Sequence, residues 1–324
     1  MNEWNEDRLD QEMDAIAEAV SVPKDLEMRI IRSINKRIRK IVVRSLLVIV
    51  SIVLAAVVMI NPLLDSLYLN PYQLDQKPER TMLNVLRDYY ETTHPYRELF
   101  SLTVERKGFG RYKLSMEIGD LTEPVRIDGP NVWCDMNWGV YENVISADVT
   151  LAHSAGRFVN DFVSQEEMLQ KISELPQSAK IYLSVSDTEP KTVEELRNLP
   201  VTPQWMQVYQ PNTDFNGGIS LRMVTLYADD DDRDEMTAEE LLETYLQNLE
   251  NLVEHSDIWE QMLLCDGRNQ VYPAERLQET WEDAKNLQSL TSKNYCVFGQ
   301  RDEVIRFLQD NTLNVVTVEN VRLW

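Results

Sequence analysis

From Ser45 to Leu64 the chain reads SLLVIVSIVLAAVVMINPLL, twenty residues without a charge. At about 1.5 Å per residue such a helix is about 30 Å long, the thickness of a bilayer's hydrocarbon core. A core helix of a globular protein would show a polar face, and this run has none. A Val/Ile/Leu helix satisfies its backbone groups internally, as lipid demands, and Arg44 can snorkel back to the headgroups. The run predicts a single transmembrane helix over 41–64, dividing an arm (1–40) from a large remainder.

Charge orients it. Residues 1–44 hold nine acids and nine bases, so the whole formal charge of −22 falls on the rest of the 324 residues. Seven bases (Arg29, Arg32, Lys36, Arg37, Arg39, Lys40, Arg44) crowd the approach to the apolar run, and beyond it no base appears until Lys77. The positive-inside rule then places the N-terminus in the cytosol and the acidic part outside the cell membrane. About forty residues, rich in charge, precede the run, more than precede the apolar core of a cleaved signal peptide, so it reads as an uncleaved signal anchor. The acidic excess disfavours nucleic acid as a direct partner.

Within the arm, Leu9, Met13, Ile16 and Val20 fall on one face of a short helix, with Asp7, Asp10, Asp14 and Glu18 elsewhere around it. Ser21-Val22-Pro23 interrupts, and Leu26, Ile30, Ile34, Ile38 and Ile41 form a second stripe that leads into the membrane. Some forty residues cannot build a core, so both stripes seek an outside surface. The basic second helix suits either lipid or protein. An anionic cytoplasmic leaflet repels the acidic first helix, which points to a basic protein partner.

The remainder is long enough for roughly two domains, and its pattern is α+β. After a short stalk from Asp65, a helix starts within Pro78–Phe100, with Met82, Val85, Leu86, Tyr89 and Tyr90 at helical spacing. Ser101–Val149 alternates apolar and polar residues between glycine turns, as an antiparallel sheet with one wet face does. This defines a strand-rich module over 65–160. A second, α+β module over 161–324 begins with capping boxes at Ser164-x-x-Glu167 and Thr192-x-x-Glu195 flanking the strand AKIYLSVSD. Strands at Trp205–Tyr209 and Ile219–Tyr227 surround a Gly217-Gly218 turn. Helices follow from Thr237-x-x-Glu240 and over Ala274–Leu290, and a β-α-β unit closes the chain (Tyr295–Gly299, Asp302–Asp310, Asn314–Leu323).

Sites for chemistry are scarce. The run Asp229–Asp232 with Asp234 and Glu235 lacks the glycine turn and spacing of a calcium loop and reads as solvated. His94, His153 and His255 are scattered, and Cys134, Cys265 and Cys296 lack metal-ligand spacing. The cysteines leave two options open, a disulfide or three buried thiols. Trp133, Trp138 and Tyr141 suit sheet packing better than glycan stacking. No glycine-rich phosphate loop occurs, and neither catalysis, a metal nor a cofactor is expected.

SVPKDLEMRIIRSINKRIRK followed at once by the apolar run resembles the juxtamembrane Pro-x-x-Leu-x-x-x-Ile helix of the membrane-bound anti-sigma factors of Gram-positive bacteria, of the sigma-factor-regulator type. Leu175–Leu196, YCVFGQRDEVIRFLQ and NVVTVENVRLW resemble that family's C-terminal regulator region. The resemblance implies a transcription regulator in signal transduction, whose arm sequesters an extracytoplasmic-function sigma factor and whose outer domain governs release, with proteolysis in or at the membrane as a route. Leu9, Asp10, Met13, Asp14, Ile16, Val20, Leu26 and Ile30 would contact the sigma factor. Residues 1–44 contain neither His nor Cys, so the zinc-dependent, thiol-switched class is excluded. The alternative is an anchored envelope receptor or scaffold whose arm docks another cytosolic protein.

Overall fold

The computed structural model describes residues 11–15, 24–72, 74, 81–120, 130, 132–146, 164–210, 212–213, 217–222, 233, 235–263 and 274–323. The chain divides into two compact units, Met1–Leu63 and Leu64–Trp324.

Residues 11–15 are helical. Helix α1 then runs unbroken over Lys24–Leu67, 44 residues, or about 66 Å. The juxtamembrane stripe and the apolar run are therefore one helix. Asp25 and Glu27 in its first turn favour the positive end of the helix dipole. Pro62 lies inside the helix but close to its end, where little of the hydrogen-bond ladder remains to be lost. Among the described residues, this is the one helix long and apolar enough to cross a membrane.

The stretch expected as a stalk lies, in its described part, against the second unit, which carries the name outer unit from the side on which charge predicts it. Leu69 and Leu74 join the edge of the core and Pro71 is buried. Tyr72 sits edge-on to Tyr112 at 6.4 Å and donates its hydroxyl to the Val104 carbonyl at 2.7 Å. Its leucines and tyrosine find apolar surface, so the segment folds back as a strap.

Helix α2 (Met82–Thr93) follows, capped by Thr81, whose hydroxyl accepts from the Asn84 N–H. Met82, Val85, Leu86, Tyr89 and Tyr90 are all buried, as their spacing predicts. The first sheet is an antiparallel meander of neighbours, β1 (Arg97–Gly108), β2 (Arg111–Asp120), β3 (Val132–Asn137) and β4 (Val140–Ser146). Alternation gives it the expected two faces: Tyr112, Leu114 and Met116 point inward with Val132, Cys134 and Met136, while Lys113 and Arg111 point out. Gly108-Phe109-Gly110 makes the β1–β2 turn with φ of 81°, 57° and 68°, a conformation that glycine adopts without steric cost.

The second sheet has the order β7-β6-β8-β5-β9, every neighbouring pair antiparallel. Its strands are β5 (Lys180–Thr192), β6 (Thr202–Gln207), β7 (Gly218–Ser220), β8 (Thr291–Gln300) and β9 (Leu313–Arg322). The closing β-α-β unit is present with α8 (Arg301–Asp310), but β5 lies between its two strands. Likewise β8 lies between β5 and β6, which α4 (Val193–Arg197) connects. Two split β-α-β units thus interleave, as in the β-α-β-β-α-β motif.

Before β5, Ser164 caps α3 (Gln165–Ser173) by accepting from the Glu167 N–H. The reciprocal half of the expected box is not made, because the Glu167 carboxylate turns to Lys171 at 3.2 Å. Thr192 and Thr237 do head full capping boxes, with Glu195 and Glu240. The second box opens α5 (Ala238–Glu254), which precedes α6 (Ser256–Leu263) and α7 (Ala274–Ala284). Helix α2 packs on β1, on β7 and on α5, and so joins both sheets to the helical layer.

The Gly217-Gly218 pair is not a tight turn. Gly218 opens strand β7 beneath the Trp205 indole, where an added Cβ would fall 1.7 Å from the ring. Glycine is required there for close approach rather than for bending.

Candidate functional site

Of the residues expected to face a partner in the arm, Met13 and Asp14 lie on the exposed helical turn 11–15, and Leu26 and Ile30 are exposed on α1. Leu9, Asp10, Ile16 and Val20 lie outside the described residues. Spacing of four places Leu26, Ile30, Ile34 and Ile38 on one side of α1, with Arg29, Arg32, Lys36 and Lys40 around the other. All four apolar residues are about half open, from 47% to 53%. A stripe this long on a helix without a core has no stabilising burial of its own. It can give up apolar area to another molecule, and that is the chemistry it offers.

The outer unit contains a second cluster that residue spacing did not reveal. Helix α2 carries Asp88 and Glu91 one turn apart, both buried. Glu91 accepts from both terminal guanidinium nitrogens of Arg233, the second at 3.1 Å, and from the Ser220 N–H and the Asn248 amide, each at 3.1 Å. Its backbone carbonyl accepts from the Trp205 indole at 2.8 Å. One residue thereby ties α2 to β6, β7, α5 and the segment holding Arg233. A buried carboxylate survives only with such partners.

Asp88 accepts from the Asn251 amide at 2.8 Å. Burial pushes its carboxyl up to about 7; the Asn251 bond pulls down, Glu91 adds to the rise, and Arg87 and Arg233 oppose it. Asp88 also borders a groove of about 770 Å³ with Arg87, Glu243, Glu250 and Lys285 on its walls. The arrangement can hold or release a proton near neutral pH. No three metal-ligating side chains converge among the described residues.

Residues weighed from sequence take ordinary places. His94 is buried against the rings of Tyr89 and Tyr90. Cys134 and Cys296 are buried thiols on different sheets, with no disulfide between them; Cys265 lies outside the described residues. Burial pushes the Cys296 thiol up to about 12, beside Ser184 Oγ at 3.7 Å. His153, Asp229–Asp232 and Asp234 also lie outside the described residues. The useful signal in that run was Arg233, its lone base. Trp138, expected to pack, is instead 54% exposed in the β3–β4 turn.

Compared with protein-family models, curated proteins and solved structures, the chain matches none.

Proposed function

We propose that the chain is a single-pass transmembrane anti-sigma factor: its cytosolic arm sequesters an extracytoplasmic-function sigma factor, and its outer domain sets when that factor is released. The observation that carries the reading is the open apolar stripe Leu26–Ile30–Ile34–Ile38, continuous in one helix with the membrane-length run. The charge asymmetry about that run supports a cytosolic arm. Acids on the arm's first helix, Asp10 and Asp14 among them, suit a partner that itself binds polymerase and DNA through basic surfaces. The apolar residues Leu9, Met13, Ile16, Val20, Leu26 and Ile30 supply the contact area. The outer unit governs release in this reading, with cleavage near the anchor as the route by which an outside event reaches the arm.

The full-length tagged chain, purified in detergent from its own host's membranes, should carry a sigma factor with it. Met13→Asp combined with Ile16→Asp should leave the chain in the membrane and lose that factor. Co-purification of some other cytosolic protein, sensitive to the same pair, would replace this reading with an anchored receptor or scaffold.

A further inference from the structure

One end of the first sheet carries bases in a unit that is acidic as a whole. The turns 106–111 and 137–140, with the strap residues 67–72, contain three bases (Arg106, Lys107, Arg111) and no acid, within a region of the chain whose charge is −22. These bases are exposed, as is Lys113 just behind them. Glu105 pairs with Lys107 at 2.5 Å, Glu142 accepts from the side-chain amide of Asn137 at 2.7 Å, and Asp135 stands across from Lys113 further back on the sheet. Set among the bases are exposed apolar groups: Trp138 (54%), Val140 (54%), Tyr72 (55%), Tyr68 (40%) and Leu67 (67%).

The backbone holds the aromatic group in place at some cost. Phe109 and Trp138 both have positive φ, 57° and 52°, and are the non-glycine residues that do so among those described. The Trp138 N–H donates to the Gly110 carbonyl at 2.9 Å, and its indole N–H donates to the Phe109 carbonyl at 3.0 Å. The two turns are thus fastened together with the indole projecting from their seam. A buried Trp could be fixed by packing, whereas here hydrogen bonds hold a strained backbone while about half of the residue stays exposed.

Chain continuity fixes what this end lies beside. Leu64 is the last residue of the apolar run and the first of the outer unit. A Cβ on Gly110 would meet Trp138 at 3.2 Å, Tyr68 at 3.3 Å and Leu64 at 3.9 Å, and one on Gly139 would meet Leu69 at 3.6 Å. The residues touching the turns are therefore those that emerge directly from the membrane-length segment. Trp and Tyr with flanking Lys and Arg are the side chains that favour the headgroup layer.

We propose that this end of the sheet is a lipid-docking surface, with Trp138 and Tyr68 entering the headgroup layer and Arg106, Lys107 and Arg111 meeting anionic phospholipid. The proposal rests on the reading of 45–64 as a membrane span. Without the basic end, an acidic domain tethered this closely to an anionic surface would be repelled by it. With it, that repulsion is offset at the turns themselves.

The full chain in phosphatidylglycerol nanodiscs containing lipids brominated high on the acyl chain tests this through tryptophan fluorescence. Wild-type emission should be quenched by the bromine, and the part due to Trp138 should vanish in Trp138→Phe. Arg106→Gln with Lys107→Gln and Arg111→Gln, which leaves the packed residues untouched, should reduce that quenching. Wild-type quenching should also weaken in phosphatidylcholine discs. Equal quenching in wild type and Trp138→Phe, with the chain firmly held in the disc, overturns the docking surface and leaves the anchor intact; a protein partner on this face would give the same result. Release of the chain from discs by alkaline carbonate overturns the span and the docking together.

Discussion

Ile30 and Ile52 on α1 expose 47% and 62% of their surface, whereas Ile181 and Ile219 in the second sheet expose none. Burying an isoleucine side chain contributes about 1.5–3 kcal/mol, and the outer unit collects that many times over within its own fold. The helix collects none of it. Two parts of one chain with similar apolar residues are therefore stabilised differently: the outer unit by itself, the helix by whatever surrounds it. For Ser45–Leu64 the surroundings that suit are lipid, and for Leu26–Ile38 a further apolar surface.

Substitutions should break this contrast in a graded way. Glu91→Ala leaves the partly buried Arg233 guanidinium without its carboxylate and should cost about 3 kcal/mol, read as a lower denaturant midpoint of the outer unit. An unchanged midpoint would mean that the pair does not hold α2 to the second sheet. Gly218→Ala pushes the Trp205 indole away from its hydrogen bond to Glu91 and should cost about 1–3 kcal/mol by overpacking.

Asp88 should make the outer unit's stability depend on pH. Its carboxyl titrates near 7 in the fold against an ordinary value of 3.8, so between those values the fold holds a proton that the unfolded chain has released. Its contribution is therefore greatest in acid, declines as pH rises from about 4 to about 7 and is flat above. Asp88→Asn removes the titrating group, so the difference in stability between variant and wild type should shift in the variant's favour across that window. A pH-independent difference would count against the raised value. The smallest effect on stability belongs to the arm. Ile30→Asp should shift the outer unit's midpoint by less than about 0.5 kcal/mol while weakening capture of the proposed cytosolic partner.

Much of the architecture was legible because periodicity reports burial. The α2 core positions, the alternating strands of the first sheet and the caps at Thr192 and Thr237 all followed from spacing. Strand neighbours did not, since the position of β5 between β8 and β9 is a long-range choice to which local pattern is silent. Gly218 was misread for a related reason: a glycine needed for close approach looks the same in sequence as one needed for a turn. The Glu91–Arg233 pair was also hidden. Its partners lie 142 residues apart, and Arg233 sits in a run of acids that invites a solvated reading. Trp138 followed the alternation of a strand but sits in the turn after it, so its outward position could not be read from period-two spacing.

The place of β5 also bears on how the molecule is made. Lys180 at its start pairs with Gln300 on one side and with Arg322 on the other, so both of these partners of an interior strand are synthesised more than a hundred residues later. As the chain leaves the ribosome or a translocon, β5 emerges with two unpaired edges. It keeps one of them until the last strand arrives. Assembly of this sheet therefore waits for β9, and a chain halted before β9 presents a bare strand edge open to pairing with other molecules.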